Sequence, residues 1–130
     1  MGRGEPRKGR MGINKRQRVL RKPVPISGFL DNPVDGSTVS LGFLPEPGHV
    51  RSVVIFLEGV QAPEKADPPV AMIYVGNSKL ATEGQFKLRA GMNKFEESME
   101  VHAADRAKVE LSIPEGTVIG RIEVTMIYQS

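Results

Sequence analysis

His102 and Asp105 are the side chains whose types and spacing come nearest to acid–base chemistry in this 130-residue sequence. A histidine oriented by a nearby carboxylate can act as a general base. The pair lacks an activated serine or other third partner, and His102 alternates with Val101 and Ala103, which makes it a solvated strand residue. His49, in the Pro47-Gly48 turn, carries the same expectation. Glu96, Glu97 and Glu100 form an acidic cluster beside Asp105. Paired carboxylates serve glycoside hydrolysis or hold Ca²⁺, but neither the spacing nor the glycine placement here matches a calcium loop. A solvated acidic face, open to basic groups, is the expectation instead. The chain has no cysteine, which excludes disulfides, thiol catalysis and cysteine-based zinc sites. Two histidines are too few for a histidine-rich metal site. Gly2-x-Gly4 and the later glycines do not open a helix after a strand, so no dinucleotide fingerprint is present. The sequence therefore predicts a non-enzyme without metal or cofactor.

Charge is the stronger signal. Residues 1–22 hold nine bases, Arg3, Arg7, Lys8, Arg10, Lys15, Arg16, Arg18, Arg21 and Lys22, against one acid, Glu5, for a net +8. Residues 23–130 hold nine bases and fourteen acids, for a net −5. The chain thus divides into a basic N-terminal arm and an acidic body. The arm has too few apolar groups to offset its ordering entropy and is expected to be disordered by itself. Val19-Leu20 is its one apolar pair able to dock. Fully stretched it reaches about 70 Å at ~3.3 Å per residue. Its bases can neutralise phosphates with counterion release, or pair with carboxylates on a protein surface through arginine forks. It lacks the aromatic residues that single-strand binders stack on bases. Lys15-Arg16-Gln17-Arg18 would pass for a nuclear import signal, a pattern too common to carry weight. No apolar segment follows the charges as a secretory signal requires, and glycines at 2, 4, 9 and 12 oppose the amphipathic helix of a mitochondrial presequence. No apolar run approaches the ~18 residues of a membrane span, so no membrane partner is expected.

The body must position whatever the arm serves, and its pattern is β throughout. Thr38–Leu44 alternates Val39, Leu41 and Phe43 against Ser40 and Gly42. Val50–Leu57 and Val70–Val75 are nearly continuous apolar runs, as strands covered on both faces would be. Gln85–Arg89 turns Phe86 and Leu88 inward. Phe95–Ala103 places Phe95, Met99, Val101 and Ala103 on one side, with Glu97 out of step at a bulge or open edge. Ala107–Ile113 alternates cleanly, and Val118–Tyr128 reads as the longest strand, with Ile122, Val124, Met126 and Tyr128 inward. Leu80–Glu83 allows one helical turn. With Val24–Leu30 as a further strand, seven or eight strands predict an all-β fold: an antiparallel, jelly-roll-like β-sandwich with an extended basic arm. Ile119 and Ile127, which alternation sends outward on the final strand, are candidates for a subunit contact.

Three stretches carry a resemblance: Leu88-Arg89-Ala90-Gly91-Met92-Asn93-Lys94-Phe95, Val101-His102-Ala103-Ala104-Asp105-Arg106, and the final run Val118 to Tyr128. Together they resemble small β-sandwich proteins of tailed-phage virions, and a body of this length behind an N-terminal arm is similar to capsid decoration (cement) proteins. The likeness covers about Ser27–Ser130. It implies a structural protein of the virion, made in the host cytoplasm, that sits on a shell as a homo-oligomer, typically a trimer. It also implies that the arm clasps the major capsid protein or another shell protein. The bases named above, with Val19 and Leu20, are then the partner-binding residues. A second expectation is a nucleic-acid-binding protein, such as a genome-binding coat protein or a ribosome-associated factor, whose arm contacts phosphate.

Overall fold

A computed structural model describes residues 22–76, 78–79, 85–96, 98–102 and 105–130. The arm bases from Arg3 to Arg21, the Val19-Leu20 pair and the helical turn expected at Leu80–Glu83 lie outside the described residues. Lys22 is described and exposed.

Among the described residues ten strands form two antiparallel sheets, and none is helical. The first sheet runs β1 (Val24–Asp31), β10 (Arg121–Gln129), β3 (Gly48–Glu58), then β7 (Gly91–Phe95) and β8 (Met99–Val101) in turn along the far edge of β3. The second runs β2 (Thr38–Leu44), β9 (Asp105–Ser112), β4 (Val70–Val75), then β5 (Ser78–Lys79) and β6 (Phe86–Lys87) along β4. Counting β5 with β6 and β7 with β8 as interrupted single strands leaves eight lanes whose order is that of a jelly roll. Glu97, expected at a bulge or open edge, lies outside the described residues. No helix among the described residues is long and apolar enough to cross a membrane.

Alternation builds the core. Successive strand side chains point to opposite faces, so Val53, Ile55 and Leu57 of β3 and Ile122, Val124 and Met126 of β10 meet Val39, Ala71, Ile73, Val109 and Leu111 of the other sheet, all buried. At one margin of the sandwich β1 lies against β2. At the other, the Phe86 and Phe95 rings meet at 4.3 Å between centroids. Asp35 Oδ1 accepts from the Ile113 N–H at 2.9 Å and ties the β1–β2 connection to the end of β9.

Three sequence expectations are corrected. Phe43 does not face inward: the β2–β9 register shifts between Ser40 and Gly42, and Gly42 adopts φ +89°. Glycine tolerates that left-handed backbone, and the bulge it forms sends Phe43 out, 57% exposed, while Leu44 takes the core position. Ile119 is not on an outer face but 1% exposed in the core. The final strand starts only at Arg121, because Gly120 N–H turns back to the Glu58 and Gly59 carbonyls at 2.9 and 3.2 Å and interrupts the alternation. Ile119 is therefore no subunit contact. The longest strand is β3 with 11 residues, not the final strand with 9.

Tyr128 is 5% exposed, and its hydroxyl donates to the carbonyls of Glu46 and Pro47, pinning the Pro45–Gly48 turn to the sandwich. Removing one buried hydroxyl and the hydrogen bonds it donates costs about 1–2 kcal/mol. Tyr128→Phe is accordingly expected to lower the urea midpoint by that free energy divided by m, about 0.5–1 M, with an unchanged m value; an unshifted midpoint would show that the turn needs no such tie.

Candidate interaction surface

The residues nearest to acid–base chemistry serve a turn. The backbone N–H of His102 donates to Asp105 Oδ2 at 2.9 Å, and Asp105 N–H donates to the His102 carbonyl at 3.2 Å. The carboxylate thus grips the backbone of His102, whose side chain is exposed. His49 lies within β3, not in a turn, opposite Glu100 of β8 and Gln129 of β10. Glu96 pairs with Lys94 at 3.5 Å. Among the described residues no three His, Cys, Asp or Glu side chains are grouped to hold a metal ion.

The outer face of the first sheet is unlike an ordinary solvated face. Strand register places its outward residues in cross-strand rows. The first row is Asp31, Arg121 and Glu58. The second is Phe29, Glu123, Phe56 and Met92. The third is Ser27, Thr125, Val54 and Lys94, and the fourth is Pro25 and Ile127, with Ser52 opposite Ile127 buried at the register shift. A one-sided antiparallel sheet should alternate to polar groups here. Instead Val54, Phe56 and Ile127 are half-buried beside one another, and Phe29 and Met92 stand 58% and 65% exposed at opposite margins. Arg121 frames one end. Its Nη1 donates to Asp31 Oδ1 at 3.0 Å, its Nε to Glu123 Oε2 at 3.1 Å, and its guanidinium lies 4.1 Å from the Phe29 ring centre. Val54, Phe56, Met92 and Ile127 thus form an apolar patch, with Glu123 between it and Phe29 and the Asp31–Arg121–Glu58 row at one end, a mixture of apolar and charged groups that suits a contact surface.

The second sheet's outer face is basic and aromatic. Arg106 stacks on Phe43 at 4.2 Å and Lys108 on Tyr74 at 5.3 Å. Desolvation, with the charge and hydrogen bond of Glu110, pushes the Tyr74 phenol above its ordinary pKa. A third feature is a depression of about 360 Å³ between residues 32–35 and 113–119, with Val34 and Val118 exposed on its rim.

Of the two subunit-contact residues expected from sequence, the structure places Ile127 on the apolar face and Ile119 in the core. Sequence reasoning missed Phe29, Val54, Phe56 and Met92. Their signal was present in the unbroken apolar run of β3, which suggested a covering layer; among the described residues its outer face carries none. Lys22, the last residue of the arm, is joined through Pro23 to β1, so the arm is connected to the edge strand of this same sheet.

No family model matches this sequence, and no curated protein matches it. Among solved structures, the C-terminal CBM6 of LamC, a marine laminarinase from Zobellia galactanivorans, is similar at 14% identity, over 80% of this chain and 99% of that one, with a TM-score of 0.45. A likeness at that level assigns this chain neither a family nor a ligand.

Proposed function

We propose that this chain is a structural protein of a virion, a capsid decoration protein whose jelly-roll body oligomerises and whose basic N-terminal arm holds the major capsid protein or another shell protein. The observation that carries this reading is the connection of a +8 arm to the edge strand of a sheet whose outer face mixes apolar and charged groups. Such a chain has two separate means of attachment on one rigid frame. Holding the arm in place costs about 1–2 kcal/mol of backbone entropy per residue, so the arm must make many contacts to gain anything. Once the body is docked, the arm searches at high effective concentration, and each weak contact helps to retain the others. Arg3, Arg7, Arg10, Arg16, Arg18 and Arg21 suit carboxylates on a shell surface, because a guanidinium pairs with them in a two-pronged geometry.

Deleting residues 1–22 is expected to weaken co-sedimentation with purified virion shells at least tenfold while leaving the body folded. Retention of full binding would overturn the role given to the arm.

One observation favours a second reading: the basic, aromatic outer face of the other sheet, where Arg106, Lys108 and Lys87 are exposed, adds to the arm's charge. A nucleic-acid-binding protein would use both. If all nine arm bases engaged duplex phosphates, log affinity would fall with log salt at a slope of about −8. Binding of a short DNA duplex with such a slope, lost with the arm, would select this reading over decoration.

A further inference from the structure

We infer that the outer face of the first sheet is occupied by a second copy of this chain, related by a two-fold axis that runs along the strands between β10 and β3. The inference rests on the reading above in that the body is taken to oligomerise; the shell and the arm play no part in its geometry. A half-turn about that axis reverses the order of the strands. β1 then faces β7 of the second copy, and β10 faces its β3.

The rows of this face fit that operation. Phe29 stands at the β1 margin and Met92 at the β7 margin of a single row, the two most exposed apolar groups on the face. Reversal sets Phe29 of each copy against Met92 of the other, so both margins close with an apolar contact. In the first row it brings Arg121 of each copy over Glu58 of the other, giving the one cation of that row a further carboxylate beside its bonds to Asp31 and Glu123. In the third it sets Thr125 over Val54. A two-fold contact must be complementary to itself, and the margins and the first row of this arrangement are; in the second row Glu123, already bonded to Arg121 of its own copy, comes over Phe56 of the other. A threefold ring would instead set the face against a different surface.

The size also suits a copy of the same chain. Eight residues of β1 at ~3.4 Å rise and four lanes at ~4.8 Å give a face of roughly 27 by 19 Å, on the order of 500 Å² before side-chain relief. Two such faces together reach roughly the 1,000 Å² that a specific interface requires.

The test uses the full chain, freed of nucleic acid, in sedimentation-velocity runs across a concentration series. The wild type is expected to sediment as two copies. Phe29→Lys and Met92→Glu each place a charge against an apolar group of the other copy. Each is expected to weaken pairing at least tenfold with the fold intact by circular dichroism, because both positions lie outside the core, and to lower the thermal midpoint only by what pairing itself supplied. An equimolar mixture of the two variants is expected to recover the pair, since the introduced ammonium and carboxylate then face each other across one margin while the other margin keeps its native contact. A single-copy wild type, unimpaired variants, or a mixture that stays dissociated overturns the arrangement. A single-copy wild type that still co-sediments with virion shells through its arm overturns the pairing and leaves the decoration reading standing; a stable pair indifferent to shells does the reverse.

Discussion

Asn93→Ala is expected to lower the stability of the body by about 3 kcal/mol, the sum of several backbone groups losing one shared partner. Asn93 is 7% exposed, on the inward side of β7. Its Nδ2 donates to the carbonyls of Ile55, Arg89 and Gly91 at 3.1, 2.9 and 3.2 Å, and its Oδ1 accepts from the Arg89 N–H at 3.0 Å. One amide thus binds the turn before β7 to the central strand β3. Alanine leaves these groups beside the core, where burial without a partner costs most. For a domain with a total stability of about 5–15 kcal/mol the loss is large, equivalent to a thermal midpoint lower by roughly 10–20 °C. Asn93→Asp restores the acceptor but none of the donors and is expected to destabilise at least as strongly at neutral pH. Calorimetry of both variants tests this; midpoints within two or three degrees of wild type would show that the turn satisfies its own backbone.

Gly28→Val is expected to cost about 3 kcal/mol, and Gly28→Ala less. Gly28 lies where β1 meets β2 at the closed margin of the sandwich. A Cβ there would stand 2.6 Å from the Ser40 carbonyl oxygen, 2.9 Å from Leu41 Cδ2 and 3.2 Å from Val39 Cγ1. The nearest obstacle is backbone, so β1 must move bodily. Overpacking of this kind commonly costs 1–3 kcal/mol, and a branched side chain takes it to the upper end. Alanine recovers roughly 0.4–1 kcal/mol by restricting the unfolded chain. The distinguishing readout is amide exchange. Protection over Val24–Asp31 should fall most, because β1 is the edge strand that separates. A loss spread evenly over both sheets would argue that the margin is not the weak point.

Displacement of β1 bears on function as well as stability. β1 carries Phe29, joins the arm to the body and forms one margin of the apolar face. A Gly28 variant is thus expected to lose self-association along with stability. Phe29→Lys is expected to lose the first and keep the stability of the separated copy.

The alternation of apolar and polar residues was enough to assign most strands and the jelly-roll-like sandwich, because a period of two is a local property of an extended chain and needs no partner. Val39, Val109, Leu111, Ile122, Val124 and Met126 are all in the core where alternation puts them. The division of charge at residue 22 was equally plain, since it is a property of composition. Tertiary structure decided where the alternation slips. The bulge at Gly42 depends on the register that β9 imposes, and the turn at Gly120 depends on carbonyls of Glu58 and Gly59, some sixty residues earlier, so neither Phe43 nor Ile119 could be placed from its neighbours in sequence. The candidate surface has the same origin. Phe29, Phe56 and Met92 are far apart along the chain, and only the pairing of β1, β10, β3 and β7 puts them on one row, because cross-strand adjacency is set by hydrogen-bond register and not by distance in sequence.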